Sequence, residues 1–132
     1  MPLPTSSKER KQIPIFSGFL SYFPDAVAAV AAHSFQSNEQ HNPGEPLHWA
    51  REKSTDQLDA LARHLTELAM LGENPRLSVK IQLLKAIVWR AMAELQLTLE
   101  EWFRFSKKTL ADGDVRKYGA VSDEYQQTGD MS

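Results

Sequence analysis

The stretch 38-NEQHNPGEPLHWAREKSTDQLDALARHL-65 decides the fold, because it ends one helix, crosses a loop and begins a second helix. The segment from residue 42 to residue 46 holds two prolines and a glycine, which break regular structure. Ser54 and Gln57 then have the spacing of a capping box. Leucines follow at intervals of three and four residues, at positions 58, 61, 65 and 68. This spacing predicts a helix with one leucine face, which we expect to form the core.

Two further helices are predicted on either side of this stretch. Upstream, a proline at an early helical position and an alanine-rich run predict a helix from Pro24 to about Glu39. Downstream, "GENP" predicts a new helix that begins at Pro75 and runs to about Leu97. Thr98 then opens another capping-box pattern. Either the third helix continues through it, or a fourth helix begins there.

The chain is predicted to be all-α: one helical bundle with an irregular N-terminal arm and a polar C-terminal tail. The arm covers residues 1–21, which carry three prolines and a cluster of basic residues. The single domain covers residues 22–111. Residues 112–132 are polar, and we expect them to lack packed structure unless a partner orders them.

Composition excludes several classes of protein. A chain of 132 residues, 42% hydrophobic, has the size of one domain. Its net charge of −2 gives no basic field for direct nucleic-acid binding. The absence of cysteine removes disulfides and thiolate metal sites and fits a reducing cytoplasm. We expect no secretory signal and no membrane-spanning helix.

Acidic and basic residues cluster at the start of the second helix. Asp56 and Asp59 are one turn apart, so both carboxylates can face one hard divalent cation such as Mg²⁺. Glu39 becomes a third ligand if the first two helices lie antiparallel. Lys53 and Arg63 flank the acids and suit phosphate groups. The simpler interpretation is a solvated face whose charges pair at helical spacing.

Histidine and tryptophan allow other interpretations. A zinc site could use three histidines with an acid, but no His-x-x-x-His pair fixes its geometry. Trp49 could stack on a nucleobase or fill the core. Trp89 and Trp102 suit packing or a subunit interface. The zinc set would comprise His41, Glu45, His48 and His64.

Three segments carry a resemblance to a known family. The runs "YFPDAVAAVAAHS", "NEQHNPGEPLHWAREKSTDQLDALARHL" and "WRAMAELQ" resemble bacteriophage dATP/dGTP diphosphohydrolases, which are similar to the MazG-like all-α nucleoside triphosphate pyrophosphohydrolases. The resemblance spans about residues 10 to 97. It implies a MazG-like helical bundle, a homo-oligomer (dimer or tetramer), that binds a purine deoxynucleoside triphosphate (dGTP or dATP) with Mg²⁺ or Mn²⁺. Such an enzyme releases pyrophosphate and a monophosphate, in a phage to control the nucleotide pool.

The resemblance also implies site residues. MazG-like enzymes carry Glu-x-x-Glu on one helix and Glu-x-x-Asp on the next. Here the Asp56 and Asp59 pair resembles the second motif, whereas Glu39 represents the first motif alone, with Gln36 in the place of the other acid. These three acids are the expected metal ligands and catalytic residues. The expected phosphate ligands are Lys53 and Arg63, and the residues expected near the base or sugar are Asn38, His48 and Trp49.

Two other functions stay open. The loss of one acid is also compatible with a module that binds a nucleotide without turnover. A helical interaction protein would use Trp89, Trp102 and Phe103 to bind a partner, and would show no metal-dependent nucleotide binding.

Overall fold

The computed structural model describes residues 3–53 and 55–112, with side chains as far as residue 108. Within these ranges the chain is all-α, as predicted, and contains no strand. Four α-helices follow one another: α1 (Ser7–Arg10), α2 (Pro24–His41), α3 (Gln57–Met70) and α4 (Leu77–Asp112). A single π-helical turn covers Phe16–Leu20, and a 3₁₀ turn covers Arg51–Lys53. None of the helices described combines the length and apolar character needed to cross a membrane.

The N-terminal arm is more regular than predicted. Ser6 caps α1, because its hydroxyl accepts a hydrogen bond from the backbone N–H of Glu9 at 3.3 Å. In the π-helical turn, a Cβ on Gly18 would lie 2.9 Å from Cγ of Pro14, so this close approach requires glycine. The arm, predicted to be irregular, thus contains two short helical segments.

The ends of α2 and α3 follow local chemistry. Pro24 is the first residue of α2, as predicted, and the helix runs two residues beyond Glu39 to His41. Gly72, with φ +77°, follows α3 in the left-handed conformation that ends many helices.

The predicted capping box before α3 involves Ser54, which lies outside the described residues. Asp56 is the N-cap residue of α3, and Gln57 is buried.

The predicted leucine face of α3 is only partly packed. Leu61 and Leu68 are half-buried, but Leu58 and Leu65 are 59% and 56% exposed, whereas Gln57 and Ala60 are each only 2% exposed. The most buried side chains of the helix are therefore small or polar. Among the described residues, the only buried apolar side chains are Ala60 and Ala93, so one copy of the chain has a very small core.

α4 is a single helix of 36 residues, which answers the question left open at Thr98. It begins at Leu77, two residues after the predicted start at Pro75. No glycine or proline interrupts it, so nothing in the sequence forces a break.

The chain divides into two compact units inside α4. Pro2–Leu95 forms the first unit, and Gln96–Ser132 with Met1 forms the second. In the second unit, Gln96 donates to Glu100 at 2.8 Å and the Ser106 hydroxyl donates to the Trp102 carbonyl at 2.9 Å. All features of the candidate site lie in the first unit. The predicted division at residues 21 and 111 stays a prediction, and the polar tail from residue 113 lies outside the described residues.

Candidate functional site

A cavity of about 1020 Å³ lies beside the loop between α2 and α3. Its walls come from the second half of α2, from that loop with its 3₁₀ turn, and from α4. Gly44, with φ +79°, lets the chain turn sharply after α2, so that the loop can fold back over the helix. The volume is at the upper end of the range of pockets that hold small organic molecules.

Asn38 is the most buried polar residue of the cavity wall, with 7% of its surface exposed. Its Nδ2 donates to the backbone carbonyl of Glu45 at 3.0 Å, which ties α2 to the loop and fixes the orientation of the amide. Its Oδ1 is buried and has no hydrogen-bond partner among the described residues. A buried acceptor without a partner is costly, so this oxygen is a candidate to accept a hydrogen bond from a bound molecule.

Two tryptophans line the cavity together. Trp49 on the loop contacts Trp89 on α4 edge to face, with ring centroids 5.7 Å apart and planes at 78°. The guanidinium of Arg51 lies over the Trp49 ring, 4.3 Å from its centroid. Trp49 Nε1 is buried without a partner in the part of the chain that is described. The cavity therefore combines aromatic surface with one unpartnered donor and one unpartnered acceptor.

Arg90 and Gln57 connect α4 to α3 at the wall of this cavity. Arg90 lines the cavity, and its Nη1 donates to Gln57 Oε1 at 3.0 Å. The same guanidinium lies 5.7 Å from the centroid of the Trp89 ring. Because Gln57 is almost completely buried, it holds the arginine head group in a fixed position.

His33 on α2 also lines the cavity. Burial lowers its pKa from the usual 6.5, and the positive charges of Lys85, Arg90 and His64 lower it further. Neutral imidazole is therefore favoured at neutral pH.

The structure brings four of the predicted site residues to one place. Asn38, His48, Trp49 and Lys53 all line the cavity. Zinc candidates His41 and Glu45 line it as well, whereas His64 instead lies 3.8 Å from Glu67 on α3.

The remaining predicted residues lie elsewhere. Arg63 pairs with Asp56 at 3.3 Å, with both side chains largely exposed. Asp59 and Arg63 line a separate, shallower pocket of about 410 Å³ on α3. Glu39 is exposed on α2 and lines neither pocket. The charge pairing considered from the sequence is thus present between Asp56 and Arg63.

The expected metal ligands do not converge in one copy of the chain. Within residues 3–53 and 55–112, no group of three or more histidine and acidic side chains is arranged to hold a metal ion. The physical reason is local: Asp56 faces Arg63, while Glu39 follows Asn38 by one residue and so projects about 100° away from the face that lines the cavity. The set Glu39, Asp56 and Asp59 and the histidine set for zinc therefore do not fit a preformed metal site within a single copy.

Sequence reasoning missed His33, Gln57 and Arg90 as site residues. A signal was present for α2: polar residues recur at intervals of three and four and form one stripe that lines the cavity. These residues are His33, Ser34, Ser37, Asn38 and His41. The pairing of Gln57 with Arg90 had no local signal, because it joins residues 33 positions apart.

Comparison with known proteins adds no relative. The chain matches no protein-family model, and neither the curated proteins nor the solved structures gave a match.

Proposed function

We propose that this chain is a (d)NTP pyrophosphohydrolase that acts in the cytoplasm on purine deoxynucleoside triphosphates, dGTP or dATP, and releases pyrophosphate and a monophosphate. The observation that carries the proposal is that Asn38, His48, Trp49 and Lys53 line one cavity. These are four of the five residues that the sequence suggested for base, sugar and phosphate contacts.

The base would lie at the tryptophan end of the cavity. Stacking on aromatic rings is favourable for any nucleobase, and a purine offers the larger surface. The edge of adenine carries an amino donor next to a ring acceptor, and the edge of guanine carries an N–H donor next to its O6 acceptor. The donor of either edge complements the unpartnered Oδ1 of Asn38. Asn38 is therefore proposed to bind the edge of the base, and the Trp49 ring to stack on its face.

Mg²⁺ or Mn²⁺ belongs to the proposal as the ion that neutralises the polyphosphate. Glu39, Asp56 and Asp59 are proposed as its ligands from the family resemblance. Because these acids do not form a metal site in a single copy, their role requires either ligands from another copy or a rearrangement on binding. The lack of convergence also favours a second candidate, a module that binds the nucleotide without turnover.

Self-association is the second part of the proposal, and its basis is an apolar seam on α4. We define the α4 seam as Leu77, Ile81, Leu84, Val88, Ala91 and Leu95, all of which are exposed. Their spacing of 4, 3, 4, 3 and 4 residues is the heptad pattern by which one helix packs against another. We propose that a second copy of the chain covers this seam, because the buried apolar side chains of one described copy are two alanines and most oligomers are symmetric assemblies of one chain.

The test of turnover is product analysis by anion-exchange chromatography. Purified protein is incubated with each dNTP and NTP in the presence of Mg²⁺ or Mn²⁺, beside the variant Asp56→Ala/Asp59→Ala. Glu73→Ala, at an exposed acid in the turn before α4, is the matched control. We expect pyrophosphate and a monophosphate from purine substrates with the wild type and the control, and none with the double variant.

Each other outcome has a defined meaning. Turnover that survives in the folded double variant would contradict the assignment of the two aspartates. Nucleotide binding without turnover would favour the binding module. The absence of both binding and turnover would favour a helical interaction protein that uses Trp89, Trp102 and Phe103.

A further inference from the structure

The guanidinium of Arg90 is fixed in the cavity wall in a position where it can bind an anion. It is half-buried in the cavity wall, and Gln57 accepts one hydrogen bond from its Nη1 at 3.0 Å. A guanidinium has five N–H donors in a planar fork, so this contact fixes the plane and leaves most of the donors for another partner.

Arg90 makes no direct ion pair with a carboxylate in the described part of the chain. The contacts described there between basic and acidic side chains join Asp56 to Arg63 and His64 to Glu67, and neither involves Arg90. Glu45 and Glu52 line the same cavity, yet neither pairs with the arginine. A partly buried charge without a counter-charge is unfavourable, and a bound anion would compensate it.

A second and independent observation also indicates that the cavity holds a molecule. Asn38, which is 93% buried, lines the same cavity with its Oδ1 unpartnered, and its orientation is fixed by the Glu45 carbonyl. The wall thus offers a hydrogen-bond acceptor and, from a different helix, a fixed cation. A nucleotide has complementary groups at its two ends: donors on its base and negative charge on its phosphates.

We infer that Arg90, positioned by Gln57, is the residue that binds the phosphate groups of a nucleotide in this cavity. The identity of the anion as a nucleotide rests on the proposed function, whereas the anion site itself rests on the geometry of Arg90. The inference assigns phosphate binding to Arg90 and not to Arg63, the arginine expected from the sequence. Arg63 instead pairs with Asp56 and lines the other pocket. A planar guanidinium can bind two phosphate oxygens at once, which a lysine cannot do.

The test measures how affinity depends on phosphate number, by isothermal titration calorimetry in EDTA. The probes are deoxyadenosine, dAMP, dADP, dATP and inorganic tripolyphosphate. The variants are Arg90→Gln and Arg90→Lys, with Arg63→Gln as the competing assignment and Arg76→Gln, at an exposed arginine before α4, as the matched control. Circular dichroism confirms that each variant is folded. If Arg90→Gln does not fold, Arg90→Lys, which keeps the positive charge, takes its place as the test variant.

We expect dATP and tripolyphosphate to bind Arg90→Gln about tenfold or more weakly than the wild type, while deoxyadenosine binds both equally. Arg90→Lys should recover part of the loss, and Arg76→Gln should behave as the wild type. Unchanged dATP and tripolyphosphate affinity in a folded Arg90 variant, or a loss confined to Arg63→Gln, would overturn the inference and leave the proposed function standing. Tripolyphosphate binding that depends on Arg90, without nucleotide binding in EDTA, would support the anion site and contradict its assignment to a nucleotide. Failure of both dATP and tripolyphosphate to bind the wild type in EDTA would refute the anion site, whereas the proposed function fails only if no nucleotide is bound or turned over with Mg²⁺ or Mn²⁺ present.

Discussion

The ring of Trp49, on the loop after α2, contacts the ring of Trp89, on α4, edge to face at 5.7 Å between centroids. This contact joins two elements that are 40 positions apart in the sequence and places aromatic surface at one end of the cavity. It also connects the loop, which carries most of the polar chemistry of the site, to the longest helix.

Substitution of Trp49 should separate stacking from hydrogen bonding. Trp49→Ala removes the ring, and we expect dATP binding to weaken by about 1–3 kcal/mol, the usual contribution of one stacked base. Trp49→Phe keeps a stacking ring and removes only Nε1, which lies in the ring plane and does not reach a base stacked on that ring, so the expected loss is smaller than for Trp49→Ala. Calorimetric titration measures both. Equal losses for the two variants would show that the ring itself does not stack on the base.

Asn38→Asp should destabilise the fold itself. The substitution replaces the Nδ2 donor with an oxygen that faces the Glu45 carbonyl, so two acceptors meet in a buried position. We expect the free energy of unfolding to fall by about 1–3 kcal/mol, as urea denaturation would measure. Asn38→Ala, which removes the amide without adding a second acceptor, is the comparison. A variant as stable as the wild type would mean that the contact with Glu45 does not hold the loop.

His33 should make stability depend on pH. Because burial and nearby positive charges lower its pKa in the folded state, the unfolded chain takes up a proton first as the pH falls. The free energy of unfolding should therefore decrease as the pH drops below about 6.5, and His33→Gln should reduce that decrease. Urea denaturation between pH 5 and about 8 measures the slope. His41→Gln, on the same helix, is the control that shows how much the loss of another histidine changes this slope. Identical slopes for the wild type and His33→Gln would contradict the prediction.

Asp56→Asn should change stability very little. The ion pair with Arg63 is exposed, so its loss should alter the free energy of unfolding by no more than about 1 kcal/mol, and asparagine is as good an N-cap residue as aspartate. Urea denaturation tests this directly. If stability is unchanged, any loss of turnover in this variant reports on chemistry rather than on folding. A loss above about 2 kcal/mol would show that Asp56 has a structural role beyond the exposed pair.

A charge in the α4 seam should prevent the proposed self-association. Leu84→Glu places a carboxylate at the middle of the heptad stripe, where a packed second helix would bury it without a partner. Sedimentation velocity should show an oligomer for the wild type and a smaller species for the variant. Gln82→Glu, exposed on the same helix but outside the seam, should leave the assembly unchanged. A wild-type chain that is monomeric at every concentration would contradict self-association.

Hydrophobic periodicity and the positions of proline and glycine predicted where the helices lie. They did not predict which face of α3 is buried, because tertiary contacts determine that face. The start of α2 follows from Pro24 and its alanines, and the turn after α3 contains Gly72, as the break at "GENP" indicated. The face of α3 could not be predicted, because the burial of Gln57 depends on Arg90 in another helix. Leucine spacing alone does not specify whether a leucine packs within its own chain or is left exposed.

Only the part of the candidate site that is close in sequence was predicted. Asn38, His48, Trp49 and Lys53 belong to one short stretch that folds back on α2, so their proximity follows from local sequence. The acids were expected to converge on the assumption that adjacent antiparallel helices bring them together. An ion pair on the outer face of α3 instead directs Asp56 towards Arg63.

The most direct test of nucleotide binding in the cavity uses the three tryptophan indole N–H signals in a ¹H–¹⁵N correlation spectrum, assigned by single Trp→Phe variants. On titration with dATP or dGTP in the presence of Mg²⁺, the signals of Trp49 and Trp89 should shift and saturate together. The signal of Trp102, which does not line the cavity, serves as the internal reference. Unchanged Trp49 and Trp89 signals at saturating nucleotide would contradict the proposal that this cavity binds a nucleoside triphosphate.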